Sequence, residues 1–449
     1  MILSLATLFV AGNSLASQEN QAAPSASAPS NFGRTTLLSP AEQTGKITNG
    51  VTVEALVAEA LERNPELNFY RTEIAAAKAG RKSAGLWGNP EVTASVGQKR
   101  VTGGDLAGEG LAWSVALVQP FEWPGRIGLR KAIANRDIEL AELGFERFKA
   151  GLAGRIRGLA FGLFAAQTKG VSAKEVADRF AALKEVLIQR DPAGLTPLLE
   201  TRVIEATELN AQRKASEAEL ATKAALFELN QLRGFAPGEW LHVAEPSLRF
   251  QAAEPVSMLL AAARTNNFEI RTRAMELTQQ GFRVDLARNE RFPAISLGPN
   301  ITEERAGDLE RTIGVGLSVP LPLWNRNQGN IEAAKAKQMQ AETSMFVAQR
   351  EVERKVAEAA LIFEAKVKEM GRWRDDAAQH FREAAELADR HYRLGAVPIS
   401  TYVELQKQYL EAVEGLLDTR KEALEAASQL ELLTGLPMPV AVAQPRESK

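Results

Sequence analysis

The chain contains no cysteine. Disulfides, thiolate metal centres and cysteine nucleophiles are thereby excluded. Histidine is nearly as scarce, with His242, His380 and His391 the whole supply. His380 and His391 share a helix face but stand roughly 16 Å apart along it, too far to share one metal ion. Neither sign of charge dominates: 54 Lys and Arg stand against 56 Asp and Glu, so nothing marks a nucleic-acid partner. No apolar run reaches the length of about 18 residues that a membrane-spanning helix needs. There is no G-x-S-x-G, phosphate loop or dinucleotide glycine pattern in a strand–turn–helix context, and the carboxylates are dispersed. The chain is therefore read as no enzyme, with no cofactor and no resident metal.

A local shortage points the other way. Between Pro322 and Pro398 there is no proline, and Gly371 is the one glycine between Gly329 and Gly395. Interior prolines cost helices roughly 3 kcal/mol and glycines about 1, so this stretch predicts one uninterrupted helix over about 328–393. Apolar residues recur every three or four positions through Val352, Val356, Ala359, Phe363, Val367, Met370, Trp373, Ala377, Phe381, Ala384 and Ala388. The aromatic and Met members of that stripe are expected to be packing residues. At roughly 1.5 Å per residue such a helix is about 95 Å long.

The chain also repeats itself. With an offset of 203, Val53 falls on Val256, Leu56 on Leu259, Asn64 on Asn267, Glu66 on Glu269 and Pro90 on Pro293. With an offset of 200, Val115 falls on Val315, Leu117 on Leu317, Pro120 on Pro320 and Arg126 on Arg326. Each copy reads as a short helix, a second helix, two strands, a long helix, a sharp break and a shorter helix. The first copy is placed at 51–234, with strands about 90–99 and 110–120. A proline-bearing connector occupies 235–254, and the second copy 255–436 has strands about 293–302 and 311–320. Residues 437–449 form a tail. Residues 1–16 read as an atypical signal peptide without a basic start, followed by an extended segment at 17–50. A mis-assigned start codon or a buried N-terminal segment fits the first stretch as well.

In Arg311-Thr-Ile-Gly-Val-Gly-Leu-Ser-Val-Pro320, Ile313, Val315, Leu317 and Val319 alternate with small or polar residues. Phe121, Trp123 and Trp324 stand near strand ends. Such alternation with interfacial aromatics suits a transmembrane β-barrel. A soluble four-stranded sheet with one buried face fits the alternation equally. If the strands do span a membrane, four cannot close, because lipid leaves edge groups unpaired and the smallest barrels need about eight. Three chains would supply twelve strands and gather twelve helical columns into a tube.

The two-copy layout, the hairpins, the long helices and the break Leu394-Gly395-x-x-Pro398-Ile399-Ser400 resemble the TolC-family outer-membrane efflux proteins. Pro320-Leu-Pro-Leu-Trp-Asn-Arg-Asn-Gln-Gly329 and Gln119-Pro-Phe-Glu-Trp-Pro-Gly-Arg126 are similar to the heavy-metal, CzcC-like branch. The resemblance covers about residues 50–436. It implies a mainly α fold with a small β part, built as two tandem repeats. Long periplasmic helical hairpins would form an α-barrel, and a transmembrane β-barrel taking four strands per chain would close as a homotrimer. It further implies an exit duct in the Gram-negative outer membrane, in contact with its lipid. That duct would serve a tripartite pump with a periplasmic adaptor (a membrane fusion protein) and an inner-membrane RND-type transporter. Expected cargo is a heavy-metal cation or another small toxic compound. A duct for drugs or protein secretion, and a non-membrane coiled-coil structural protein, are the alternatives.

By position, the adaptor-docking tip would be Gly194, Leu195 and Thr196 in the first copy. In the second it would be Leu394, Gly395, Ala396, Val397, Pro398, Ile399 and Ser400. Some relatives narrow the pore with two aspartates just beyond this tip. The matching positions here are Thr401 and Glu404, so only one carboxylate is kept for a candidate pore gate, and Glu404 also reads as a solvated helix residue. Many relatives carry a lipid-bearing cysteine after the signal, and that anchor is expected to be missing here.

Overall fold

The computed structural model describes residues 50–103, 108–190, 198–246, 248–373, 377–437 and 440–442. The expected signal peptide and most of the segments at 17–50 and 437–449 lie outside the described residues, as do Gly194, Leu195 and Thr196.

The first copy runs α1 (Val53–Arg63), α2 (Glu66–Ala84), β1 (Glu91–Val101), β2 (Gly108–Phe121), α3 (Arg126–Arg190) and α4 (Leu198–Arg233). A short β3 (Leu248–Phe250) precedes the second copy. That copy runs α5 (Val256–Asn266), α6 (Phe268–Asn289), β4 (Ile295–Ala306), β5 (Asp308–Ser318), α7 (Gln328–Met370), α8 (Ala377–Arg393) and α9 (Ile399–Thr434). A last strand, β6 (Val440–Val442), pairs antiparallel with β3.

The repeat holds at the level of single hydrogen bonds. Asn64 ends α1, accepts from the Glu66 amide (2.8 Å) and donates from Nδ2 to the Leu232 carbonyl of α4 (2.8 Å). Its counterpart Asn267 ends α5, accepts from the Glu269 amide (2.9 Å) and donates to the Leu433 carbonyl of α9 (2.9 Å). Both asparagines are buried, so one side chain caps a helix start and satisfies an end carbonyl of another helix at once.

Matching cores surround these caps. Leu56, Ala60, Leu152, Ile156, Leu163, Leu229 and Leu232 pack in the first copy. Leu259, Ala263, Val352, Val356, Phe363, Ala427 and Leu430 pack in the second. A third cluster joins the copies, with Phe161, Phe180 and Ile204 set against Tyr402, Tyr409, Leu417 and Leu424.

The expected uninterrupted helix over 328–393 is corrected. α7 stops at Met370, and Arg372 and Trp373 donate to carbonyls only three residues back, those of Glu369 (3.1 Å) and Met370 (2.9 Å). That tightening ends the α-helical ladder. The side chain of Trp373 then lies beside Gly415 of α9. Beyond the break the apolar stripe continues through Ala377 and Ala388 but leaves out Phe381. Val352, Val356, Ala359 and Phe363 are buried as the spacing predicts, whereas in α8 the buried residues are Ala377, Ala385 and Ala388, and Phe381 is exposed.

Candidate functional site

The four long strands form one antiparallel sheet of order β1-β2-β4-β5. Register places Val92, Ala94 and Val96 beside Leu117, Val115 and Trp113. Across the sheet, Val115 faces Ile301, Ile301 faces Ile313, and Leu297 faces Leu317. All these residues therefore share one face, whose centre is apolar. Nothing among the described residues covers it: Ile313 and Val315 are each 72% exposed and Val96 is 75% exposed. The other face carries Thr93, Ser95, Ser114, Ala116, Asn300, Thr302, Thr312 and Ser318 in the same register. β1 and β5 are the two outer strands, so each leaves one edge unpaired among the described residues.

Long exposed apolar strands with open edges are association templates. Glycine allows strand crossings that no other residue would. A β-carbon at Gly298 would overlap the Leu117 carbonyl of the neighbouring β2.

Aromatic rings gather where the sheet meets the helices. Phe121, the last residue of β2, meets Trp87 edge to face with centroids 5.7 Å apart. Trp123 stacks on Phe292 at 4.8 Å. Trp324 is 93% exposed in the link between β5 and α7. Sequence reasoning singled out Phe121, Trp123 and Trp324 as interface candidates. It missed Trp87 and Phe292, although both lie just before a strand, as the others lie just after one.

The turn between α8 and α9 is built by local chemistry. Gly395 adopts φ +73°, its amide donates to the Tyr392 carbonyl (2.9 Å), and the Ala396 amide reaches back to the His391 carbonyl (2.9 Å). Those two bonds close a Schellman helix end, which needs the left-handed conformation that glycine adopts without strain. Pro398 then stands at the start of α9 in extended geometry. Leu394 is 82% exposed, and Gly395, Ala396, Pro398 and Ser400 are also exposed, while Val397 and Ile399 are half-buried. A small apolar knob results at the end of a hairpin.

Beneath the knob lies a rigid support. Tyr402 is fully buried, stacked on Tyr392 (5.2 Å) and tilted against Phe180 (5.2 Å), and its hydroxyl donates to Asp389 (3.2 Å). Burial above all, then the Asp389 charge, pushes its phenol pKa up, which keeps the group a neutral donor. Gln406, also fully buried, donates to the Ala385 carbonyl (2.8 Å) and accepts from Arg179 of α3 (3.2 Å). Arg179 in turn pairs with Glu175 (2.7 Å). Thr401 and Glu404 sit on the other, exposed side of α9, where Glu404 accepts from Gln408 (2.9 Å).

Among the described residues no cluster of three or more metal-ligating side chains occurs, and no helix is long and apolar enough to cross a membrane. His380 has Glu383 at 3.8 Å. Asp375 and Asp376 lie outside the described residues.

Residues 259–436 match the family model described as Outer membrane efflux protein. The cobalt-zinc-cadmium resistance protein CzcC of Cupriavidus metallidurans is 25% identical over 287 residues. That match takes in 63% of this chain and 66% of CzcC, so just under two thirds of the relative's length is spanned. Among solved structures, CusC superposes with a TM-score of 0.67 at 16% identity, over 86% of this chain and 93% of that one. The open state of the Neisseria gonorrhoeae MtrE outer membrane channel gives 0.65 at 17% identity, over 85% and 88%. The fold is therefore that of these channels, mainly helical with a small sheet, and proteins of this kind are not enzymes.

Proposed function

Taking the chain as one of the TolC-type outer-membrane efflux proteins, we propose that it is the exit duct of a tripartite pump, acting as a homotrimer in a Gram-negative outer membrane. One observation carries the reading: a four-stranded sheet whose outer edges are unpaired and whose apolar face is bare among the described residues. In water that surface would aggregate, and in lipid the open edges would be intolerable. Pairing β5 of one chain with β1 of the next removes every edge and preserves the antiparallel order. Three chains then give twelve strands, with the apolar face toward lipid and the polar face around a water-filled lumen. The aromatic rings at the junction would mark the periplasmic interface of the bilayer.

The helices hang from the same end of the sheet and extend into the periplasm. Their far turn, Leu394 to Ser400, presents small and apolar groups of the kind that dock another helical hairpin, here that of the periplasmic adaptor. Glu404 and Thr401 would lie near the mouth of the helical tube as the candidate gate. The remaining partner is an inner-membrane RND-type transporter that supplies the energy.

The cargo we assign is a heavy-metal cation. Support comes from the 320–329 run and from the cobalt-zinc-cadmium resistance relative. A duct has no need of a tight metal site, since tight binding would retain cargo. Growth of a strain lacking this chain on zinc, cobalt, cadmium, nickel, copper and silver, beside dyes and antibiotics, tests the assignment. Sensitivity confined to one metal group is expected. Sensitivity to organic compounds alone would overturn the cargo and leave the duct.

A further inference from the structure

The junction of sheet and helices occurs once in each copy, and the two are not equally filled. At the start of α3, in the first copy, Arg126 reaches the end of α6 in the second. It donates to the Asn289 carbonyl (3.2 Å), the Asn289 side chain (3.1 Å) and the Phe292 carbonyl (2.5 Å). A cation thus satisfies carbonyls that a helix end leaves without partners. The Asn289 side chain in turn donates to the Pro124 carbonyl (2.9 Å), so this clasp closes from both sides.

The repeat says which residues would make a second clasp. The offset of 200 carries Arg126 to Arg326 and Pro124 to Trp324. The offset of 203 relates Leu86 to Asn289 and Asn89 to Phe292. Arg326 is exposed and has no bonding partner among the described residues. Trp324 and Leu86 are exposed as well. Both members of the central pair have changed character together: where Asn289 and Pro124 meet through a polar bond, Leu86 and Trp324 are apolar. A second bare patch further along the helices obeys the same rule. Phe161 of α3 is buried in a cluster with Leu417 and Leu424 of α9, whereas its counterpart Leu361 is exposed. A β-carbon at Gly162 would stand 4.0 Å from the Lys421 side chain of α9. Their counterparts, Ile362 and Leu220 (the latter by the offset of 201 that relates Leu232 to Leu433), are both exposed apolar residues.

In a closed ring of three chains, the step from first copy to second within a chain is followed by a like step to the first copy of the next chain. We propose that Trp324 and Arg326 of each chain clasp the end of α2 in that next chain. Trp324 packs on Leu86, and Arg326 donates to the Leu86 and Asn89 carbonyls. The Leu86 carbonyl already accepts from Arg130 of its own chain (3.2 Å), and its second lone pair remains for Arg326. The occupant of this surface is therefore a second copy of the chain, and Trp324 joins subunits rather than facing lipid. Further along, Leu361 and Ile362 of α7 are covered by Leu220 of the neighbouring α4. The inference rests on the trimeric reading and adds to it which residues hold the chains together.

The lack of cysteine makes the test direct. Two versions of the full chain, one carrying Leu86→Cys and the other Trp324→Cys, are expressed together, and isolated membranes are treated with a short bismaleimide. A covalent dimer is expected from the mixture and none from either version alone. Both positions are exposed within the chain, so neither change empties a core. Arg326→Ala, which breaks no bond among the described residues, is the second arm. It should lower the temperature at which the oligomer separates in SDS, with Arg326→Lys restoring part of the loss. A trimeric mass in detergent without the mixed dimer would overturn the clasp and leave the trimer standing. An unchanged separation temperature in Arg326→Ala would remove the arginine from it. A monomeric mass for the unsubstituted chain would overturn the trimer on which the proposal rests.

Discussion

The first long helix runs unbroken for 65 residues, whereas its counterpart stops after 43 and restarts at Ala377. Both contain a glycine at nearly the same place. Gly170 and Gly371 are separated by 201 residues, as are Leu232 and Leu433, the carbonyl partners of the two capping asparagines. A glycine costs a helix about 1 kcal/mol wherever it stands, so glycine alone does not decide. In α3 the residues after Gly170 give the helix something to bury: Ser172, Ala173 and Val176 are all in the core, and Ser172 meets the Tyr409 hydroxyl at 3.2 Å. In the second copy the residues after Gly371 are Arg372, which is exposed, and Trp373, which is half-buried beside Gly415. Tertiary packing overrides the glycine in the first copy, and in the second the helix ends where the glycine stands.

The largest effect that would break the comparison lies in the sheet. Gly298→Val should abolish the assembled protein, because its side chain would occupy the Leu117 carbonyl. Gly316→Ala should be tolerated, since a β-carbon there meets nothing closer than 3.8 Å and the first copy carries Ala116 at the matching position. Recovery of detergent-stable oligomer from outer membranes distinguishes the two. Next come the matched cores: Phe363→Ala and Leu163→Ala each empty a fully buried site and should cost about 3–5 and 2–5 kcal/mol respectively by urea unfolding in detergent.

Asn64→Ala and Asn267→Ala should each cost about 1–3 kcal/mol and by similar amounts, since each loses a cap and a buried hydrogen bond. A large asymmetry between them would contradict the structural equivalence of the copies. Gly395→Ala should cost about 1–2 kcal/mol through its left-handed backbone alone, because its β-carbon would meet nothing. Gly371→Ala should do least. A change within about 1 kcal/mol and unaltered helicity by circular dichroism would show that the glycine does not set the break, while a restored continuous helix would show that it does.

Periodicity is a local property, and what depends on it was legible in the chain itself. The offsets of 203 and 200 marked the two copies, and the alternation at 311–320 marked one apolar face. The two asparagines were visible as matched positions, but not as side chains that each tie two helix ends together, because Leu232 and Leu433 lie more than 160 residues away. The packing around the break at Gly371 was not legible for the same reason: Trp373 meets Gly415, which sits on another helix. Trp87 and Phe292 escaped notice because they precede strands, and only ring contacts with Phe121 and Trp123 join them to one level. The pairing of Trp324 with Leu86 could be sought only after the contact between Pro124 and Asn289 was known.

The most direct test of the central claim is the mass and location of the mature protein, taken by light scattering after membrane fractionation and detergent extraction. Recovery in the outer-membrane fraction, with detergent required and a protein mass three times that of the chain, is the predicted result. A monomer or dimer soluble without detergent would contradict the account, because the open edges of β1 and β5 would then have to be covered in some other way.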